Sequence, residues 1–583
     1  MTFQPPLRDI RFCLDHIIDH DSLSEFEDYD LDLRDAVLDA AAQLSSEVLA
    51  PLNWIGDQNP AKLDGEKVII SPGFEDAIMA FAEGGWYGLT APTEYGGQGL
   101  PKLLEQACYD QFHAANMAFA LLPTLSQGAI EALVHHGTEE QKSRYLPALI
   151  EGRWSGTMNL TEPHAGSDLS VLSSKAKPID DGRYEITGQK IYITWGEHEA
   201  CENIIHLVLA RLPDAPAGTK GISLFLCPKH LLDEDGKPSE RNKLRCVGLE
   251  HKLGIHASPT CVMSYEGAIG ELVGEANGGL KAMFTMMNAA RLAVGMQGVG
   301  IAEIAFQKAL IYARERKQGV SVITKKSSST LIDHPDIRLK LGLMKARIEA
   351  SRALCYLTAL SIDQAYLAKD AAAKALAQGR ADLLVPIAKS WSTDIGVDVA
   401  SMGVQIHGGM GFIEETGAAQ HLRDARIAPI YEGTNAIQAL DLVGRKLNKD
   451  GATAYEMIET MRAFKALPYL ETEFKTLEMG LDALKQATDQ LIAAKTTAPL
   501  DVAAAASPYL QLFGVVVGGY LLLKGAAKAV SLIANDNTDK AYLAHKIDLA
   551  RLYCAHDLSH AMAYLEQVRC GMKPLDNMVF EHY

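Results

Sequence analysis

The sequence predicts a mostly α-helical protein of several domains with one small antiparallel β domain near its middle, and three observations carry that reading. Over the first hundred and fifty residues apolar side chains recur three and four apart, as in the run 31–49, which is the spacing of helices with one buried face. From about Trp154 the pattern turns to alternation at 184–194, 204–209, 222–226 and 260–265, punctuated by Asp181-Gly182, Thr187-Gly188 and Asp235-Gly236. Beyond Gly278-Gly279 long helical periodicity returns and runs to the end. A chain of 583 residues has room for roughly three or four domains at about 150 residues each. The expected divisions are a helical domain at 1–153, the β domain at 154–279, a helical bundle at 280–447 and an additional helical domain at 448–583, with Asn448-Lys449-Asp450-Gly451 as the last linker.

Composition narrows the function. With 48% hydrophobic and 22% charged residues the chain reads as an ordinary soluble globular protein, and a formal net charge of -18 disfavours a nucleic-acid or anionic-membrane partner. Nine cysteines are scattered without a Cys-x-x-Cys pair, which suits a reducing cytoplasm, and the opening residues lack the apolar run of a signal peptide. The longest apolar run, 512–523, contains Gly514, Gly518 and Gly519; at twelve residues it predicts a buried helix and no integral membrane segment. No Gly-x-Gly-x-x-Gly follows a strand, so a Rossmann site is not expected. His556 and His560 lie one helical turn apart without the Glu of His-Glu-x-x-His, and no metal is expected.

Chemistry concentrates in residues 405–435, QIHGGMGFIEETGAAQHLRDARIAPIYEGTN. Gly408, Gly409 and Gly411 let the backbone approach a bulky ligand, Arg423 and Arg426 add fixed charge, and Glu432 stands just before a helical run at 437–447 that Thr434 or Asn435 would cap. Taken singly these are a turn, a solvated face and a structural carboxylate; their order is what suggests a cofactor loop followed by a base. Met158 to Asp168, MNLTEPHAGSD, joins hydroxyls to small residues able to approach a ring edge and a phosphate. Read alone, it is also a turn with a capping Ser-Asp. The turn Glu94 to Gly99 reads first as a flexible connection, and 313–319, ARERKQG, as a basic helix end that complements the helix dipole.

In this order the motifs resemble those of the acyl-CoA dehydrogenases, over about residues 5–447. The resemblance implies the fold of that family, an α bundle, a β domain and a second α bundle, with 448–583 as the extra helical domain of its extended subgroup; the opening 6–12 is similar to that subgroup's leader. It implies FAD as cofactor, with Thr161 and its neighbours Met158 and Leu160 at the isoalloxazine, Ser167 at a phosphate, and Tyr192 and Thr194 flanking the ring. Arg316, with Gln318 beside it, would bind the pyrophosphate across a subunit interface, and Gln405, Gly408, Gly409 and Thr434 would complete the cofactor contacts, so a homodimer is expected. Glu432 is implied as the base that removes the α-proton, with Asn288, Arg291, Tyr431 and Gly433 on the substrate side and the Glu432 backbone N–H on the thioester oxygen. Ala290 fills the position where some branches carry their base. Four departures stand out: Gln420 where the family has Lys or Arg, Val171 where its Thr-Glu-Pro signature ends in a small residue, Trp195 where it has Asn, and Asn288 where it has an acid.

The reaction implied is α,β-dehydrogenation of an acyl-CoA thioester, with an electron-transferring flavoprotein as electron acceptor. The subgroup points to 3-(methylthio)propionyl-CoA or a short or medium straight chain, with the acyl tail near 119–125. A long-chain dehydrogenase, an acyl-CoA oxidase and a flavin-binding protein without dehydrogenase activity are the alternatives.

Overall fold

A computed structural model describes residues 3–179, 182–447, 450–465, 468–535, 539–575 and 577–579. Asp181 of one expected turn and Asn448-Lys449 of the expected linker lie outside them. The chain forms two compact units, one built from 6–29 with 294–583 and the other from 30–293.

In the unit 30–293 the helical periodicity becomes Leu31–Leu44, a π turn Ser45–Leu49 and Ala50–Gln58. Asp30 caps the first of these by accepting from the Leu33 N–H at 2.7 Å, satisfying a donor that has no partner within the helix. A short hairpin, β1 (Lys62–Asp64) and β2 (Lys67–Ile69), precedes the helices Phe74–Glu83, Lys102–Ala115, Met117–His136 and Glu139–Ile150. The turn at 94–99 is tied down by its backbone: the N–H groups of Gln98 and Leu100 donate to the carbonyls of Gly88 and Leu89, each at 2.8 Å.

The sheet follows, with β3 (Trp154–Asn159), β4 (Lys175–Pro178), β5 (Arg183–Thr194), β6 (Asn203–Ala210), β7 (Ser223–Pro228), the hairpin β8 (His230–Leu232) and β9 (Pro238–Arg241), then β10 (Leu244–Leu249) and β11 (Thr260–Val273). The main sheet runs β3-β6-β7-β11-β5-β4, with β10 on β11. Its pairs are antiparallel except β3 with β6, which run parallel from Trp154↔Asn203 to Asn159↔Val208. The expectation of a wholly antiparallel sheet is corrected there, because β4 and β5 intervene and alternation along a strand is the same in either ladder. The Asp235-Gly236 turn joins β8 to β9, with Gly236 at φ 76°. Thr187-Gly188, by contrast, is no turn: it lies inside β5, and a Cβ on Gly188 would sit 2.3 Å from the Ser174 hydroxyl. That glycine marks close approach of a neighbouring chain segment. One sheet face packs Ile205, Leu207, Leu224 and Leu226 against Leu125, Ala129, Leu133 and Leu149 of the helices; the other buries Ile186, Val208, Phe225 and Met263.

In the unit 6–29 with 294–583, long helices Pro335–Leu367, Ala371–His407, Ala506–Ala534 and Lys540–His556 carry the core. The opening segment is the helix Leu7–His16, and its Asp9 sits in a buried ionic cluster. Lys345 and Lys546 each lie 2.7 Å from Asp9, Lys546 is 2.7 Å from Glu349, and Glu303 takes Arg352 at 3.1 Å. Burial would raise the Asp9 carboxyl, but Lys345, Lys546 and Arg352 hold it well below the usual carboxylate range. His556 and His560 are exposed, and between them Asp557 pairs with Arg347 at 2.8 Å.

The run 512–523 is indeed buried, but reading it as too short to span a bilayer is corrected by the helix it belongs to, Ala506–Ala534, which has 29 residues. Among the described residues three helices, Met117–His136, Gly279–Glu315 and Ala506–Ala534, are long and apolar enough to cross a membrane, and 83% of the apolar window of each is buried within the protein. The glycines of the last helix serve packing. A Cβ at Gly514 would fall 2.5 Å from the buried Trp391 indole, and one at Gly518 2.7 Å from the Tyr553 hydroxyl.

Gly514→Ala should therefore destabilise the protein even though alanine favours a helix by about 1 kcal/mol. Overpacking against an indole that cannot move costs about 1–3 kcal/mol. Chemical denaturation should show the transition midpoint falling; a rise would mean that Trp391 can give way.

Candidate active site

Glu432 and Gly433 form a left-handed pair, with φ 56° and 82°. Glycine accepts this freely, whereas a glutamate there carries strain of about 1–3 kcal/mol unless its surroundings hold it. They do so from several sides. The Gln438 side-chain amide donates to the Glu432 carbonyl at 2.9 Å, and a Cβ on Gly433 would lie 2.7 Å from that same amide nitrogen. The Lys389 ammonium, with no exposed surface, donates to the Gly433 carbonyl at 3.0 Å and to Asn435 Oδ1 at 2.8 Å. Asn435 in turn donates through Nδ2 to Asp394 at 2.7 Å, the Ser390 carbonyl at 3.1 Å and the Thr393 hydroxyl at 3.1 Å. Thr434 caps the helix Asn435–Asp441, accepting from the Ile437 N–H at 3.4 Å, which settles the choice between Thr434 and Asn435 as cap. The helix turns into a π turn at Leu442–Lys446 within the expected helical run. The Tyr431 hydroxyl donates to buried Gln297, and burial pushes its pKa up, helped by the nearby Glu432.

The loop before this turn begins where the helix Ala371–His407 ends. His407 stacks on Tyr312 at 4.4 Å, and Gly408 takes φ 61° with no atom within 4 Å of where a Cβ would stand, as for Gly409. Gly411 differs, since its Cβ would meet the Val404 carbonyl at 2.3 Å. Gln405, Gly408 and Gly409 are exposed. Gln420 is buried and donates to Asp424 at 3.3 Å, and Arg423 pairs with Glu414 at 2.8 Å. Arg316 follows the helix Gly279–Glu315 and is exposed, as is Gln318, whose carbonyl accepts from His334 Nε2 at 2.8 Å.

The residues expected at the isoalloxazine lie in the unit 30–293. Ile191 N–H donates to the Thr161 carbonyl at 2.9 Å, so the loop after β3 is fixed beside the end of β5 that carries Tyr192 and Thr194. Tyr192 is 60% exposed at φ 61°, an aromatic face held open to solvent, while Met158, Thr161 and Thr194 are half-buried and Leu160 is buried. Ser167 is exposed in the turn, where Asp168 accepts from the Ser170 N–H at 2.8 Å. In this unit an open aromatic face with hydroxyls beside it, and in the other unit glycines with free space, each have the chemistry that fits FAD. Trp195 is fully buried, stacked on Phe74, with its indole N–H on the Ala118 carbonyl at 3.2 Å; the departure from the family's Asn is a packing residue. Arg291 is buried on its helix and donates to Asn288 at 3.2 Å.

The sequence did not point to the residues that hold these segments. Gln297, Lys389, Asp394 and Gln438 brace Tyr431 to Asn435, and the signature loop is anchored by Lys190 and Glu162. Lys190 lies 2.9 Å from Glu162 Oε1 and donates to the Leu160 carbonyl at 3.0 Å, and the N–H and hydroxyl groups of Ser173 and Ser174 all donate to the Glu162 carboxylate. Burial would raise the Glu162 carboxyl, but Lys190 and those hydroxyls outweigh it and bring it down to about 2. Glu162 was visible within its motif; Lys190 gave no signal, being one more polar residue of an alternating strand.

Four family models match the chain: acyl-CoA dehydrogenase N-terminal domain at 35–153, middle domain at 157–268 and C-terminal domain at 277–447, and acetyl-CoA dehydrogenase C-terminal like at 455–578. A 3-methylmercaptopropionyl-CoA dehydrogenase of Ruegeria pomeroyi is 46% identical over 573 residues, 97% of each chain. A broad-specificity linear acyl-CoA dehydrogenase of Mycobacterium tuberculosis is 33% identical over 584 residues, covering 96% of this chain and 94% of that one. In fold, the chain is similar to an acyl-CoA dehydrogenase of Bacillus anthracis solved with FAD, at a TM-score of 0.75 and 23% identity over 97% of this chain and 92% of that one.

Lys190→Met should lower the unfolding free energy by about 3–5 kcal/mol, because it leaves a buried carboxylate without its cation. A depressed carboxyl stabilises the fold fully above its ordinary value of 4.5, and that contribution is lost as pH falls toward about 2. Denaturant titrations from pH 5 to pH 2 should accordingly show a shallower acid loss in the variant; an unchanged slope would mean that Lys190 is not what depresses Glu162.

Proposed function

Because this chain belongs to the acyl-CoA dehydrogenase family, and is thus an FAD-dependent oxidoreductase of acyl-CoA thioesters, we propose that it acts on short straight chains with Glu432 as the base and 3-(methylthio)propionyl-CoA as preferred substrate. The observation that supports the base best is the left-handed Glu432-Gly433 turn, braced by Gln438 and Lys389. A strained turn that its surroundings over-determine is the arrangement expected where geometry serves chemistry.

An α-hydrogen of a thioester is weakly acidic, so its removal needs a positioned base and a donor at the developing enolate oxygen. In this reading the Glu432 carboxylate takes the proton at Cα and the Glu432 backbone N–H donates to the thioester oxygen. The helix beginning at Asn435 favours the ionised carboxylate before substrate arrives, and exclusion of water by the acyl chain then raises its basicity. Asn288, Arg291, Tyr431 and Gly433 would serve the substrate. Met158, Leu160, Thr161, Tyr192 and Thr194 would hold the isoalloxazine, Ser167, Arg316 and Gln318 the phosphates, and Gln405, Gly408, Gly409 and Thr434 the remaining contacts. FAD, when bound, would supply the acceptor for the β-hydride, and an electron-transferring flavoprotein is the proposed electron acceptor. The reading includes a homodimer, since Arg316 and Gln405 are exposed as groups reaching a neighbour's cofactor must be, and the four-domain division at 153, 279 and 447.

The methylthio group is nearly isosteric with a methylene, and one methylene is worth only about 1–3 kcal/mol in an apolar pocket, so butyryl- to hexanoyl-CoA should also react. The 46% identity over 97% of both chains supports the methylthio substrate. The long-chain alternative takes the extra terminal domain and the apolar run at 512–523 as its signs; of these, the run is core packed on Trp391 and Tyr553.

Two measurements test the proposal. Glu432→Gln should keep FAD and acyl-CoA binding while flavin reduction in anaerobic stopped flow slows by at least about 10²- to 10⁴-fold; wild-type bleaching would remove the base assignment. A kcat/KM series from propionyl- to palmitoyl-CoA should peak at or near the methylthio substrate, and an optimum at long chains with that substrate inert would refute the short-chain assignment alone.

A further inference from the structure

The side-chain relay beneath the Glu432 turn does not end inside the bundle that carries it. Asp394 receives the Asn435 amide on Oδ1 at 2.7 Å, and its second oxygen, Oδ2, receives the Gln511 side-chain amide at 2.7 Å. Gln511 belongs to the helix Ala506–Ala534, within the segment matched as acetyl-CoA dehydrogenase C-terminal like. A continuous chain of hydrogen bonds therefore runs from Gln511 through Asp394 to Asn435. There it meets Lys389, which holds the Gly433 carbonyl at 3.0 Å. Each link is matched in donor and acceptor: a carboxylate takes one N–H on each oxygen, and Asn435 gives its amide to Asp394 while its own oxygen takes the Lys389 proton. Without the Gln511 amide, Asp394 keeps the Asn435 amide on Oδ1 and loses the hydrogen bond on Oδ2.

We propose that Gln511 is a positioning residue for the reaction: the terminal segment acts through Asp394 and Asn435 to hold the Glu432 turn in its left-handed conformation. This rests on the reading of Glu432 as the base. The terminal segment then has a role in catalysis beyond packing.

The test uses the full-length holoenzyme and four variants. Gln511→Leu, which keeps size and removes the donor, should slow flavin reduction by acyl-CoA by about 10- to 10²-fold, the scale on which a small misplacement of a reacting group tells. FAD content and acyl-CoA affinity should stay as in wild type. Amide hydrogen exchange should rise at 431–438 and remain unchanged in the helix Lys540–His556, a local signature that general loosening would not give. Gln511→Glu sets two carboxylates face to face and should be as slow, whereas Asp394→Asn combined with Gln511→Glu reverses donor and acceptor in that link and should recover most of the rate. Gln511→Leu with wild-type rate and exchange, or a double variant no faster than Gln511→Glu alone, would overturn the proposal. Glu432→Gln separates the two readings: if it is slow while Gln511→Leu is not, the base stands and the relay falls; if it is fast, both fall.

Discussion

A glutamate at positive φ is the constraint on which the rest of this site depends. Glu432 at φ 56° is a conformation that most residues avoid, and the turn continues through Gly433 at φ 82° before the helix capped by Thr434 begins. The strain of about 1–3 kcal/mol is of the size that one or two charge-assisted hydrogen bonds, at about 1.5–3 kcal/mol each, can offset. Lys389 makes two such bonds, to the Gly433 carbonyl and to Asn435. A lysine with no exposed surface would be costly by itself; here its protons are taken by the backbone and by an amide that is itself tied to Asp394. The turn and the buried lysine are thus bonded to each other, the lysine holding the turn's carbonyl and the turn's Asn435 accepting its proton.

The same logic organises the terminal helices. Asp9 of the opening helix accepts two lysines, Lys345 and Lys546, that come from segments two hundred residues apart, and Gly514 and Gly518 let the helix Ala506–Ala534 close on Trp391 and Tyr553. Buried ion clusters of this kind add little net stability over well-packed apolar groups, because desolvation consumes most of the Coulombic gain. What this cluster does is tie Leu7–His16, through Asp9, to two cations from distant segments. The leader and the terminal segment are therefore parts of one packed unit with the bundle that carries Glu432.

Local pattern made much of this visible in the sequence. Helical spacing located Leu31–Leu44 and the long helices after Gly279, and alternation located β5, β6 and β7. Features that depend on distant partners were not visible. Lys389, Asp394 and Gln511 look like ordinary polar positions on helices, since nothing local says that Lys389 meets Asn435 across 46 residues or that Gln511 meets Asp394 across 117. The parallel pairing of β3 with β6 was missed because alternation reports burial and not strand direction. Gly188 was taken for a turn because a glycine after Thr looks the same whether it bends the chain or admits the Ser174 hydroxyl. The run at 512–523 was measured between its polar neighbours, although Gln511 and Lys524 continue the same helix.

On the proposed reading, the backbone conformation at Glu432, held by Lys389 and Asn435, makes its carboxylate a proton-abstracting base. Exchange of the α-hydrogen of a bound acyl-CoA that cannot be oxidised reads proton removal apart from hydride transfer. It can be followed by NMR in deuterated buffer for the wild-type protein and for Asn435→Leu, each with its full complement of FAD. The account predicts washout of the α-hydrogen by the wild-type protein and a loss of about 10²-fold in the variant at equal acyl-CoA occupancy. Equal washout by the two proteins would contradict it.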